Sequence, residues 1–140
     1  MELFLFANII IGILIFIVGF IFHWFGQLIS LINWDYAKKI GLQEEKNLPE
    51  YEVYERAVAV ADVLIGWIYP IVAVSLFFNA SWAFTLAWIP GVVFIYHSLF
   101  YWVMKGNQNK AGNRTTSNAM RFTWFLINFV SGILTLLLAL

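Results

Sequence analysis

The side chains that could do chemistry in this sequence are few, and each interrupts a different apolar stretch. They are two histidines, an aspartate and an asparagine: His23, Asp62, His97 and Asn128. Each lies six to ten residues from the polar or charged residue that borders its stretch. At 1.5 Å per helical residue, the four lie about 9–15 Å inside their segments, at depths within about one helical turn of each other. If the segments are helices across one membrane, the four side chains can meet.

A carboxylate at such a depth is costly. A charge near the middle of a membrane costs about 2.5–3.5 kcal/mol on insertion scales, and intramembrane ionisable residues commonly mark functional sites. We therefore expect Asp62 to be protonated, paired or facing water, with His23, His97 or Arg121 as its partner. A purely structural hydrogen-bonded cluster remains the alternative. The predicted ligand-binding residues are His23, Asp62, His97, Asn128, Arg121, Tyr69 and Tyr101.

Three kinds of chemistry suit these residues. Two imidazoles and a carboxylate can hold Zn or Fe, but no two of these residues have the spacing of ligands on one helix, so no metal is predicted. His97 and Asp62 could instead serve as acid and base on a lipidic substrate. The cluster could also bind the polar head of an apolar molecule, which is the interpretation we favour; the sequence identifies no cofactor.

The elements that must position these residues are four long apolar segments. They predict an all-α membrane protein, a four-helix up-and-down bundle in one domain of residues 1–140, with spans at about 3–33, 50–78, 82–104 and 120–140. A short interfacial helix is expected at Trp34 to Ile40. Pro70 and the Pro90-Gly91 pair should kink the second and third spans.

Charge sets the expected orientation. The eight basic residues lie in or beside two loops, and cytoplasmic loops of membrane proteins are rich in Lys and Arg. Both loops are therefore predicted in the cytoplasm and both termini outside. The residues are Lys38, Lys39, Lys46, Arg56, Lys105, Lys110, Arg114 and Arg121.

Composition excludes several other classes. The chain has 140 residues, of which 62% are hydrophobic and 11% charged, and its net charge is zero. Soluble domains carry about 25% charged residues, so lipid rather than water is the expected surrounding. The absence of cysteine excludes disulfides and thiolate sites, and the few scattered cations do not favour nucleic acid.

Small and polar residues follow one face of each predicted helix. On the first span, Gly12, Gly19 and Gly26 recur every seven residues. Small residues let membrane helices approach closely, so these glycines predict a packing seam. The sequence does not distinguish a seam within the chain from one that joins a second copy or a larger membrane complex.

Three functions follow. The first is a binding or transport module for a hydrophobic or lipid-like small molecule, whose head meets a polar pocket in the inner leaflet. The second is a membrane-embedded enzyme with His and Asp as acid and base. The third is an accessory subunit of a larger complex. The expected location is the cell membrane, with the bilayer as the one certain partner.

Overall fold

The computed structural model describes residues 6–113 and 115–140, and within these ranges every regular element is helical. The predicted start of the first span at residues 3–5 and the loop residue Arg114 lie outside the described ranges. Three helices are long and apolar enough to cross a membrane, and a bent pair makes a fourth candidate if it counts as one span. The expectation of an all-helical chain with segments long and apolar enough to span a membrane is confirmed, and the four-helix bundle and its orientation stay predictions.

The first candidate span, α1, is Ala7–Ile32. Its middle, Ile15–Phe25, is π-helical and carries His23; π-helical turns are rare and frequently occur at functional sites. The helix is followed by Asn33, whose backbone is extended. The Asn33 side chain caps the next helix, because its Oδ1 accepts a hydrogen bond from Tyr36 N at 2.9 Å. That helix, α2, is Trp34–Lys39, which confirms the predicted short helix, while its place at a membrane interface stays a prediction.

The second span is broken by its proline. Helix α3, Pro49–Ile65, begins with Pro at its first position and glutamates in its first turn. Helix α4, Ile68–Phe77, follows at an angle of 42°. Pro70 cannot donate to the carbonyl of Gly66 four residues earlier, and its ring crowds that carbonyl, so the helix breaks there. The predicted kink is confirmed.

The third and fourth segments complete the fold. Helix α5 is Ser81–Leu86, and α6 follows at once as Trp88–Lys110. The interruption lies at Ala87, three residues before Pro90, whose missing N–H leaves the carbonyl of Leu86 without its helical partner. Helix α6 continues six residues beyond the predicted end at Met104. Helix α7, Asn118–Ala139, begins where the Ser117 side chain accepts a hydrogen bond from Met120 N.

Contacts along the helices show how consecutive segments pair. Near one end of α1, Asn8 Nδ2 donates to Leu76 O at 2.9 Å, and near its other end Trp24 Nε1 donates to Val63 O at 3.1 Å. The order of these contacts makes α1 antiparallel to α3 and α4. By the same reasoning α6 is antiparallel to α7, because Gly91 packs against Leu136 and Gly106 against Arg121.

This fold exposes many apolar side chains and buries many polar ones beside its apolar core. Isoleucines are exposed along one face of α1, at Ile10, Ile13, Ile17 and Ile21. The buried residues include a long series of polar side chains, which are Asn8, His23, Ser30, Asp62, His97, Ser98, Lys105, Gln108, Asn128, Ser131 and Thr135. Exposed apolar area of this extent requires a partner or lipid, and the polar faces predicted from the sequence point inward.

The glycine seam of α1 packs within the chain. A Cβ at Gly12 would meet the Phe77 ring and Ala73 O, and one at Gly19 would meet the Tyr69 ring. Gly26 is buried but has room, since the nearest atom lies 3.9 Å away. A partner that used Gly12 and Gly19 would therefore have to displace α4.

Candidate functional site

Three of the predicted site residues converge at one point between the helices. His23 comes from the π-helical part of α1, Asp62 from the last turns of α3, and His97 from the middle of α6. One potential ligand atom from each lies within 4.8 Å of the other two. The two imidazole rings stack with their centroids 4.4 Å apart. Both histidines of the chain are thus in one buried cluster.

Asn128 of α7 fixes the orientation of His23. The Asn128 amide nitrogen donates to Trp124 O at 2.9 Å, so its oxygen faces His23 Nε2, which lies 2.6 Å away. A carbonyl oxygen only accepts, so Nε2 of His23 carries the proton. In the neutral ring the lone pair is then on Nδ1. All four helical segments thereby contribute to the cluster, as the common depth in the sequence predicted.

The contact between His97 and Asp62 is short but incomplete. His97 Nε2 lies 2.9 Å from Asp62 Oδ1, yet the two groups are not aligned as a hydrogen bond, and Nε2 has no other partner among the described residues. The second carboxylate oxygen, Oδ2, is also buried without a partner there. Buried polar atoms normally have hydrogen-bond partners, so His97 Nε2 and Asp62 Oδ2 are available to bind a ligand.

Two members of the cluster open onto a cavity of about 620 Å³, whereas Asp62 is not among the residues that line it. His23 and His97 line the cavity, and residues of both polar loops, such as Gln43 and Thr116, line it near the chain's loop end. Between these two ends the wall is largely aromatic and aliphatic, formed by Phe22, Leu42, Val58, Phe100, Met104, Met120 and Trp124. Ligand pockets have volumes of roughly 300–1,000 Å³, a mainly apolar lining and a few placed polar groups.

A buried ion-pair network forms part of the cavity wall, and the sequence analysis did not predict it. Lys105 is 4% exposed and contacts Glu44 at 2.6 Å and Glu55 at 2.8 Å. Thr116 donates to the same oxygen of Glu44, and Asn47 donates to Glu55. The available signal was spacing, since Lys105 continues the four-residue series of His97 and Tyr101 along α6.

The remaining predicted ligand residues, which are Tyr101, Tyr69 and Arg121, do not lie at one place. Tyr101 lines the cavity, with Lys105 Nζ 5.7 Å from its ring. Tyr69 does not belong to the cavity wall: it is buried against Gly19 and stacks on Phe94.

Arg121 does not join the cluster. Its guanidinium donates to Trp102 O at 2.6 and 3.0 Å and lies 3.8 Å from the centroid of the Trp102 ring. The expectation that Arg121 supplies charge to the cluster is therefore not supported by this geometry. A main-chain carbonyl and an aromatic face satisfy the guanidinium locally.

A comparison with protein-family models, with curated proteins and with solved structures finds no match to this chain. The functional argument therefore depends on the geometry of the cluster and its cavity.

Proposed function

We propose that this protein is a four-helix, up-and-down membrane bundle that binds a small molecule with an apolar body and a polar head. Both polar loops lie in the cytoplasm and both termini outside, in the cell membrane. The molecule's head meets the cluster of His23, Asp62 and His97, and its body packs against the aromatic wall of the cavity. Asn128 orients His23 for this contact.

The observation that carries the proposal is the cavity that both histidines line. It has the size of a small-molecule pocket, and its polar groups lie toward two ends, with the histidines at one end and the loop residues and Lys105 at the other. Trp124, Phe22 and Phe100 supply flat apolar surface between the two polar ends. Such a lining favours a molecule that is mostly apolar and has one hydrogen-bonding or ionic head.

One observation favours a second candidate, a membrane-embedded enzyme. His97 Nε2 and Asp62 Oδ1 are 2.9 Å apart in a buried site open to the cavity through His97. A carboxylate that orients an imidazole, or accepts its proton, is a common acid–base arrangement. Conversion of an added lipidic substrate that is lost in His97→Gln would favour this candidate over binding alone.

Cavity-filling variants test the binding proposal. Val58 lines the cavity, and Val60, two residues later on α3, is 44% exposed on the outside. We expect Val58→Phe to reduce the amount of co-purified small molecule at least tenfold, because the larger ring occupies its space, whereas Val60→Phe should leave it unchanged. Native mass spectrometry of protein released from membranes measures the retained mass directly.

Two results would contradict the proposal. Wild-type protein released from native membranes with no bound organic molecule would overturn it, and so would equal retention by Val58→Phe and Val60→Phe. Circular dichroism of both variants at equal concentration shows whether each is folded before the masses are compared.

A further inference from the structure

We propose that His23, Asp62 and His97 form a binding site for one divalent transition-metal ion of the Zn²⁺ or Fe²⁺ type, with a coordination position open to the cavity. The inference goes beyond the proposed function and does not depend on it, because a metal could bind here whether or not an organic molecule does. The spacing of these residues in the sequence did not favour a metal site, but their positions in the structure do.

The distances between the donor atoms support this assignment. Zn–N and Zn–O bonds are about 2.0–2.2 Å long, so tetrahedral ligand atoms lie about 3.3 Å apart. Here one pair, His97 Nε2 and Asp62 Oδ1, is 2.9 Å apart, and no pair exceeds 4.8 Å. Closing the widest side by roughly 1.5 Å satisfies the bond lengths. Small side-chain rotations toward a central ion can supply this shift.

The donor types fit a transition metal rather than a hard cation. Two imidazoles and one carboxylate with open positions are the ligand set of many non-haem iron sites and of several catalytic zinc sites. Calcium and magnesium prefer oxygen ligands throughout. Since His23 and His97 contribute two nitrogens, a hard cation is disfavoured.

The unpartnered atoms provide a second, independent observation. In a purely structural pair, Asp62 and His97 would form an aligned hydrogen bond, and the remaining carboxylate oxygen would find a donor. Instead, His97 Nε2 and Asp62 Oδ2 are both buried without a hydrogen-bond partner among the described residues. A metal ion between the rings and the carboxylate would use the lone pairs that the protein itself leaves unpaired.

Asn128 has the position of an outer-sphere partner. Metal-bound histidines usually donate their other ring N–H to an oxygen, which fixes the tautomer and the ring orientation. His23 Nε2 donates in this way to Asn128, and Trp124 O holds the Asn128 amide in turn. This assigns Nδ1 as the ligand atom of His23.

Charge also favours entry of a cation. A dication bound by two neutral imidazoles and one carboxylate leaves a single positive charge, which is costly inside a membrane. The cavity wall offsets part of this cost, because Glu44 and Glu55 share a single cation, Lys105, within the described residues. Their excess negative charge lies on the path from the loops to the histidines and should attract cations toward them.

Titration with Co²⁺ tests the site. Co²⁺ replaces Zn²⁺ in imidazole and carboxylate sites and absorbs visible light, and the full-length protein should be purified without a polyhistidine tag. We expect one equivalent to bind the wild type, with bands that Zn²⁺ abolishes. Asp62→Asn should weaken binding at least tenfold, and Asn128→Ala, which removes only the partner of His23, by about 10- to 100-fold. The control is Asp35→Asn, which changes the chain's other aspartate, exposed on α2.

Two results would contradict the metal site. Failure of the folded wild-type protein to bind Co²⁺ would overturn the proposal even if Asp62→Asn does not fold. Undiminished binding by a folded Asp62→Asn variant would also overturn it. Because retained organic mass is measured separately in the Val58 and Val60 variants, loss of the metal site and loss of the small-molecule function are distinguishable results.

Discussion

At the scale of single residues, Gly19 shows how closely the helices approach beside the cluster. The Tyr69 ring packs directly over the Gly19 Cα, and behind it the ring stacks on Phe94 with centroids 5.4 Å apart. Phe94 is fully buried, so the tyrosine ring has no free space into which it could retreat. Close approach here brings the next polar residue of α1, His23, within reach of α6 and α7.

We therefore expect Gly19→Ala to lower stability by about 1–3 kcal/mol through overpacking. Gly26→Ala is the matched control on the same helix, since its Cβ would meet only Leu42, 3.9 Å away. Alanine has the higher helix propensity by up to about 1 kcal/mol, so this control should be neutral or slightly stabilising. Thermal unfolding of both variants in one detergent measures the difference, and equal melting temperatures would contradict this account of the seam.

At the scale of elements, the network around Lys105 connects segments that the sequence separates widely. The ammonium group on α6 binds Glu55 at the start of α3 and Glu44 in the loop before it. Gln108, one turn further along α6, donates to Asn47 of the same loop at 3.0 Å. These bonds hold the first polar loop over the end of α6 and shape the loop end of the cavity.

Lys105→Met should destabilise the protein by on the order of 3 kcal/mol, because it leaves two largely buried carboxylates facing each other. Lys38→Met is the control: Lys38 pairs with Glu52 at 2.8 Å, but both side chains are about a quarter exposed, so its effect should be at most about 1 kcal/mol. Adding Glu44→Gln and Glu55→Gln to Lys105→Met should restore part of the loss. Thermal unfolding checks all three, and no rescue would show that the charges are not the cause.

At the scale of the whole molecule, the distribution of polarity argues for lipid around the helices and for a charged network at one end. Every apolar segment exposes large side chains, while the Lys105 network and the loop residues that line the cavity lie together at one end. Both polar loops belong to that end, so the antiparallel helices give the molecule one charged end and one nearly uncharged end. This asymmetry is the basis for the proposed orientation.

The chain contains no cysteine, so its orientation can be tested with single introduced cysteines. Ile40→Cys and Ala111→Cys place a thiol at exposed positions of the two polar loops, and Ser81→Cys places one at the opposite end. A membrane-impermeant maleimide should label Ser81→Cys in intact cells and the two loop variants only after lysis. Labelling of either loop variant in intact cells would reverse or disprove the proposed topology.

The sequence by itself determined the all-helical class with membrane-length apolar segments, the bend at Pro70, the interruption before Pro90 and the inward direction of the polar faces. These depend on hydropathy, on helical periodicity and on the restricted backbone of proline, all of which are local. The sequence also predicted a common depth for four polar residues, His23, Asp62, His97 and Asn128, because the rise per residue is constant along a helix.

Only the tertiary structure decided which of these atoms meet. The rotation and lateral order of the helices depend on close packing between distant residues, such as Gly19 against Tyr69. For this reason periodicity could not show that the two imidazoles stack, that Lys105 turns inward to two glutamates, or that Arg121 turns to Trp102. A side chain's depth follows from its place on one helix, whereas its partners follow from the packing of all of them.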